Sequence, residues 1–404
     1  MDSSSLAPGE YQGQVLVEGA GKRLALPFAL HVSKVRMGRP RLSVGMWDYT
    51  DGNGGYGITV GNMPAAIAIM RSHFVDSPWA GSGVLPWPSA ADFDATHQLR
   101  QPLVFAAFDT WVKRWPDARR YLVFVNVAET SGFAGTRQGT PEFDARVGAW
   151  AKALAEHLRQ LGLEPSQLGL LLVDEPQTDA GDAQIVAWGR PIKTAAPEIT
   201  LFEDTAWERP DQAKIQEAVT LADILCPYLG RWYTGGAAAR QYYAQRVAEG
   251  RKLWFYQASG PAKLFDPCRY HRFQAWEAFR YGAVGMGFWA FGDSAGAVSS
   301  WNEYTAKGCP FTPVFLEPNG VTDGIHWQAM REGVEDYEYF AMLRDAAARA
   351  ADAGLKAQAT ALLAEAPEKV VGPWQPDVTW SRGFDHALAD VYRLRVLALL
   401  ERLP

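Results

Sequence analysis

From about residue 39 onward, short apolar runs alternate with longer segments of helical spacing. RLSVGMWDY (41–49) reads as a strand ending on polar and aromatic residues, and MPAAIAIMR (63–71) as a helix. SHFVDSPW (72–79) is the expected second strand, residues 91–115 carry helix-like spacing, and YLVFVNVA (121–128) is a buried third strand. In PEFDARVGAWAKALAEHLRQLG, Val147, Trp150, Ala151, Leu154 and Leu158 fall on one helical face, with Pro141 and Gly162 as start and stop signals. LGLLLVDEP (168–176), ITLFEDT (199–205), ADILCPYLG (222–230), KLWFYQASG (252–260) and VGMGFWAFGD (284–293) bring the strands to eight. Strands that are apolar throughout, each followed by a helix, require a parallel sheet covered on both faces. Eight such units over about 250 residues fit an α/β fold of the closed (β/α)8, or TIM, barrel type.

The flanks differ from this pattern. YQGQVLVEGAGKRLALPFALHVSKV reads as two or three alternating strands joined by Gly turns. A sheet this small is marginal alone, so residues 1–38 are expected to be the last strands of a β-sandwich that begins before residue 1. The barrel is expected over 39–350, ending in the long helix DGIHWQAMREGVEDYEYFAMLRDAAARA (323–350). Its Trp327, Met330, Val334, Tyr337 and Ala341 form an apolar stripe, and Glu332, Glu335, Asp336 and Glu338 a solvated or ion-paired side. Residues 351–404 read as a helical extension: a loop near 366–382, then a last helix with Phe384, Leu388, Val391 and Leu394 inward.

Composition narrows the function. The 404 residues are 48% hydrophobic and 21% charged, the balance of an ordinary globular chain, and the net charge of -6 carries no basic footprint for nucleic acid. No apolar run is long enough to span a membrane. The N-terminus shows no signal peptide, and the compartment is not readable. Three scattered cysteines (Cys226, Cys268, Cys309) and seven histidines without ligand spacing give no sign of a disulfide framework, a metal or another cofactor. Sixteen Trp and fifteen Tyr fill cores, but such rings also offer flat faces to sugar rings.

In a parallel barrel the catalytic groups sit at the C-terminal strand ends. Here those ends carry Trp47, Asp48 and Tyr49; Asn126 and Glu129; Asp174 and Glu175; Glu203 and Asp204; Tyr228; Tyr256 and Gln257; and Trp289 and Asp293. Trp232 is expected on a loop beside them. A rim of carboxylates and aromatics with few cations suits a neutral polyhydroxylated ligand, an oligo- or polysaccharide, and not a phosphate. Glycosidic cleavage needs an acid and a nucleophile or base, yet the seventh strand ends in FYQASG with no carboxylate. The nucleophile is then water, another rim carboxylate, or the substrate's own 2-acetamido group. Adjacent Asp174 and Glu175 suit the assisted route, one orienting the acetamide N–H and the other protonating the leaving oxygen. Consecutive strand residues point to opposite faces, so the pair can share one pocket only if the chain turns there, as Pro176 favours.

LLLVDEP together with GIHWQAMREGVEDYEYFAML resembles glycoside hydrolase family 123 and its DUF4091-type bacterial relatives. The resemblance implies a β-sandwich before a (β/α)8 barrel and a secreted or periplasmic enzyme. It also implies substrate-assisted, retaining hydrolysis of β-linked N-acetylgalactosamine, with Asp174 orienting the acetamide and Glu175 as acid/base. Tyr256 and Tyr228 compete for the family's acetamide-binding tyrosine. Two other readings stand beside it. One is a glycosidase for a sugar without the acetamide, pairing Glu175 with Glu203 or Asp293; the other is a silent glycan-binding barrel. An ATPase reading of Asp-Glu-Pro lacks its phosphate loop, since GAGKR (19–23) misses the required first Gly and the Ser/Thr.

Overall fold

The structure, a computed structural model, describes residues 5–54, 56–127, 132–301, 308, 310–373 and 386–403. Glu129, Cys309 and Phe384 lie outside the described residues. The chain forms two compact units. One comprises residues 1–40, 335–372 and 385–404, and the other 41–334 and 373–384.

In the first unit, β1 (Gly9–Gly19) and β2 (Lys22–Val32) make an antiparallel hairpin. Ala20 and Gly21 both take positive φ, 50° and 71°, as a tight two-residue turn that follows strand twist requires. Val15, Leu16, Val17, Leu24 and Leu26 are exposed along the hairpin.

The second unit holds the barrel. Its strands are β3 (Ser43–Gly45), β4 (Trp79–Gly81), β5 (Tyr121–Phe124), β6 (Leu168–Leu171), β7 (Thr200–Glu203), β8 (Ile224–Leu225), β9 (Lys252–Gln257) and β10 (Gly285–Phe288). They pair in parallel in the order β3-β10-β9-β8-β7-β6-β5-β4. Eight parallel strands form a nearly closed barrel of the TIM type, as expected; the second lies later than read, at Trp79–Gly81 instead of 72–79, because Ser72 still belongs to α1 (Met63–Ser72). A short hairpin, β11 (Phe315–Glu317) and β12 (Gly320–Thr322), follows.

Between β3 and β4 no ladder forms, and other groups make the joint. The Val44 carbonyl accepts the Ser77 amide at 3.0 Å, and Val44 N–H donates to Asp76 Oδ1 at 3.0 Å. Higher up, Asp48 Oδ2 accepts the Trp79 amide at 3.0 Å and Asp51 Oδ2 the Gly81 amide at 2.8 Å. Trp47 stacks on Trp79 across the joint, with ring centres 4.4 Å apart.

The helices around the sheet are α1 (Met63–Ser72), α2 (Ala106–Arg114), α3 (Pro141–Gln160), α4 (Asp179–Ala195), α5 (Glu217–Leu221), α6 (Leu229–Thr234), α7 (Gly236–Ala248) and α8 (Phe273–Tyr281). Thr140 caps α3 by accepting the Phe143 amide, and the five expected apolar residues of α3 are all buried. Helical spacing over 91–115 overstates the helix. Phe93 bridges Leu99 instead, and the α-helix is confined to Ala106–Arg114, after Pro102.

α9 (Ile325–Arg349) buries Trp327, Met330, Val334, Tyr337 and Ala341. Its acidic side is ion-paired: Glu332 with Arg272 at 3.0 Å, and Glu335 and Asp336 with Arg393. α10 (Ala353–Val371) occupies a stretch that includes the start of the expected 366–382 loop. Strong helix formers and an Asp352 cap carry the helix through Pro367. In α11 (His386–Leu400) the buried residues are Ala389, Tyr392, Val396, Leu399 and Leu400, whereas Val391 and Leu394 face solvent. The expected inward stripe is therefore out of phase, because Tyr392 turns inward to hydrogen-bond Glu365.

Candidate active site

The barrel interior is aromatic. Trp47, Trp79, Phe202, Trp254 and Tyr256 pack with Leu122, Leu171, Ile224, Cys226 and Ala290 in one cluster. Hydrogen bonds continue the parallel pattern beyond the ladders: Asn126 N–H to Leu171 carbonyl, Cys226 to Glu203, Trp289 to Gln257 and Phe291 to Met46. These bonds hold the strand ends as a ring and fix the side chains that rise from it.

The strand β6 ends at Leu171, and Asp174 and Glu175 lie in the bend before α4. Glu175 takes φ +45°, a left-handed conformation that costs a non-Gly residue about 1–3 kcal/mol. Two bonds from the β7 end oppose that cost. Glu175 N–H donates to Asp204 Oδ1 at 3.0 Å, and Ala206 N–H donates to the Pro176 carbonyl at 3.1 Å. Thr178 then caps α4 by accepting the Gly181 amide. With this bend the backbone is not an extended strand at Glu175, so strict alternation of side chains does not hold there.

Both residues are exposed but have different neighbours. Glu175 Oε1 accepts the Tyr256 hydroxyl at 2.6 Å. Tyr228 lies beside Tyr256, ring centres 5.4 Å apart. A cleft of about 350 Å3 opens here, lined by Glu175, Gln177, Ala206, Tyr228, Arg231 and Tyr256, among others. Asp174 lies beside Asp204 and near Tyr49, close enough for its charge to act on both. Its carboxyl is raised above the usual range, by partial desolvation first and then by the Glu175 charge. Asp204 is only 2% exposed and is pushed well up by burial, then by Asp174. Burial and the nearby acids also hold the Tyr256, Tyr49 and Tyr228 hydroxyls in their neutral form.

The other predicted residues divide into those near the mouth and those away from it. Trp289 is half-buried at the rim, its indole N–H on the Tyr56 hydroxyl at 3.3 Å, in an arc with Tyr49, Tyr56 and Phe311. Asn126 is exposed at the end of β5. Trp47 is buried beneath Tyr256, ring centres 5.8 Å apart, and forms floor, not rim. Glu203 is also buried. Strand alternation turns it to the outer side of β7 toward Asp182, where its carboxyl is raised by desolvation first and then by Asp204.

Asp293 uses its carboxylate on the Ala295 and Phe311 amides, so it organises a loop. Trp232, expected on a loop, belongs to α6 and is buried among Tyr243, Phe255 and Tyr281. The sequence expectation names Glu203 and Asp204 together and favours Glu203 for the site; the structure brings Asp204 to it, the member of the pair that strand alternation assigns to the inner face. Tyr49 is read only as a strand end, and Tyr56, which joins it at the rim, has no signal in the sequence. Among the described residues no group of His, Cys, Asp and Glu is arranged to hold a metal ion.

Residues 104–343, more than half of the chain, match the glycoside hydrolase 123 catalytic domain. A solved family 123 glycoside hydrolase from Clostridium perfringens, studied for glycolipid glycan hydrolysis, is similar with a TM-score of 0.67 at 11% identity. The similarity covers 98% of this chain and 76% of that one. A β-D-glucuronidase from Dictyoglomus thermophilum is more distant (TM-score 0.41, 10% identity, 81% and 57% covered). So is an endo-β-N-acetylglucosaminidase from Cordyceps militaris (TM-score 0.41, 12% identity, 74% and 91% covered). No curated protein matches the chain in sequence. The eight-stranded barrel, its acidic and aromatic mouth and the domain match lead to one assignment: the chain belongs to glycoside hydrolase family 123 and is a glycosidase.

Proposed function

We propose that the enzyme hydrolyses a β-linked N-acetylhexosamine, with N-acetylgalactosamine the first candidate, by substrate-assisted retaining catalysis. The observation that carries this reading is the left-handed bend at Glu175, which lets two adjacent carboxylates serve one mouth with separate partners. Glu175 is the acid. Its proton passes to the glycosidic oxygen as the C1–O bond breaks, while the substrate's acetamide oxygen forms a bond to C1. Asp174 accepts the acetamide N–H and stabilises the positive charge that develops on that group. Water then attacks C1, giving a proton back to Glu175, and the ring of the intermediate opens with retained configuration. Tyr256 fixes the Glu175 carboxyl in the cleft, on the side where the leaving group lies.

The absence of a carboxylate at the end of β9, where Gln257 stands buried, supports the assisted route over a protein nucleophile. Glu203 behind β7 and Asp293 bound to two amides are poor partners for a two-carboxylate mechanism. The test uses chromogenic N-acetyl-β-hexosaminides and a glycolipid glycan. Asp174→Asn and Glu175→Gln should each lower kcat/KM by about 100-fold or more, and a thiazoline analogue of the intermediate should bind far more tightly than product. Turnover only of sugars without the acetamide would sink the proposal.

A further inference from the structure

Three acids meet at the mouth, but only two have a part in the reaction proposed above. Asp204 follows β7, is 2% exposed, and lies against both catalytic candidates: its Oδ1 accepts the Glu175 amide at 3.0 Å, and the Asp174 carboxyl is close enough for its charge to act on that of Asp204. Two carboxylates this close repel, and they can hydrogen-bond to each other only when one of them carries a proton. The groups facing Asp204 are Asp174, Glu175, Tyr49, Tyr256 and Cys226, with Glu203 behind it on the same strand. None of these is a cation. Of the pair, Asp174 is exposed and Asp204 is buried, so the proton belongs on Asp204.

We infer that Asp204 is a positioning residue that keeps its proton, donates it in a hydrogen bond to Asp174, and anchors the Glu175 bend through the other contact. The inference rests on the proposed roles of Asp174 and Glu175. A neutral Asp204 lets Asp174 stay ionised beside a second acid, free to accept the acetamide N–H, and holds both carboxylates from one point. The proton is held throughout and is transferred to nothing. This differs from the aspartic-protease type of dyad, in which the shared proton is used in the reaction.

The variants Asp204→Asn and Asp204→Ala separate this role from others. Asn imitates a protonated aspartate, with an acceptor for the Glu175 amide and a donor for Asp174; Ala supplies neither. Asp204→Asn should lower kcat by less than about tenfold, and Asp204→Ala by about 10–100-fold with little change in KM. An Asn variant as impaired as the Ala variant overturns the inference, because Asp204 would then act ionised. A second readout needs no substrate. With 13C-labelled aspartate carboxyls at about pH 7.5, a neutral-acid signal should be present in the wild type, present in Asp174→Asn, and absent in Asp204→Asn. Its absence from the wild type, or its survival in Asp204→Asn, overturns the inference even if Asp204→Ala does not fold. Should the wild type turn over no acetamido sugar, the functional proposal falls, and the carboxyl signal still decides the state of Asp204.

Discussion

At the scale of single residues, the site depends on which side chain each carboxylate meets. Tyr256→Phe keeps the ring that packs over Trp47 and removes only the donor to Glu175. Leaving the Glu175 oxygen without its donor costs about 1–3 kcal/mol, so kcat should fall by roughly 5–100-fold with an unchanged melting temperature. Tyr228→Phe, whose hydroxyl has no such partner among the described residues, should cost much less; equal losses in steady-state assays would remove Tyr256 from the site. Sequence alone left these two tyrosines undecided, because both end barrel strands and only geometry separates them. Asp174 and Glu175 were legible, since a strand pattern gives the end of β6 directly. Glu203 and Asp204 were legible as a pair but not as individuals. Which of two neighbours faces inward depends on register, and a shift of one residue exchanges them. Trp232 was misplaced because LGRWYTGG ends in the turn-forming Gly235 and Gly236, yet it folds as a helix with the indole inward.

At the scale of elements, the eight strands were readable because apolar runs bounded by turn residues leave few alternatives. The helices were less so. Residues 91–115 have a helical period without a continuous helix, and α10 lacks the strong apolar stripe that would mark it. A closed barrel implies the pairing of β3 with β10, but the closeness of their approach carries no signal in the sequence. Gly287 lies opposite Gly45, and a methyl group there would sit 2.2 Å from the Gly45 carbonyl oxygen and 2.8 Å from Trp47. Backbone cannot yield as a side-chain tip can. Gly287→Ala should therefore destabilise the protein by about 1–3 kcal/mol and also lower activity, because Trp47 supports Tyr256. A thermal melt and an assay on the same sample would check both; an unchanged melt would show that the strands tolerate a wider spacing.

For the whole molecule, the consequence of burying so many acids is a dependence on pH. The Asp48 carboxyl is pushed up to about 6 by desolvation, which outweighs its bonds from Thr50 and Trp79, and Asp182 is likewise raised to about 6. A raised acid binds its proton more tightly in the folded state. Its stabilising contribution is therefore complete below the unfolded value of about 4 and is lost as pH rises through about 6. For Asp48 that loss is on the order of 2–3 kcal/mol. Melting temperatures of the wild type between these limits should fall with rising pH, and the slope should flatten in Asp48→Asn; parallel slopes would show that Asp48 does not titrate in this range. No helix among the described residues is long and apolar enough to cross a membrane. The joint that Asp48 makes between β3 and β4 has a mechanical meaning as well. A ring of backbone ladders has no preferred place to part, but this one is fastened at a single position by carboxylates and a pair of stacked indoles. Under load the sheet is expected to unroll from that clasp, carrying Trp47 and the floor of the pocket with it before the remaining strands separate.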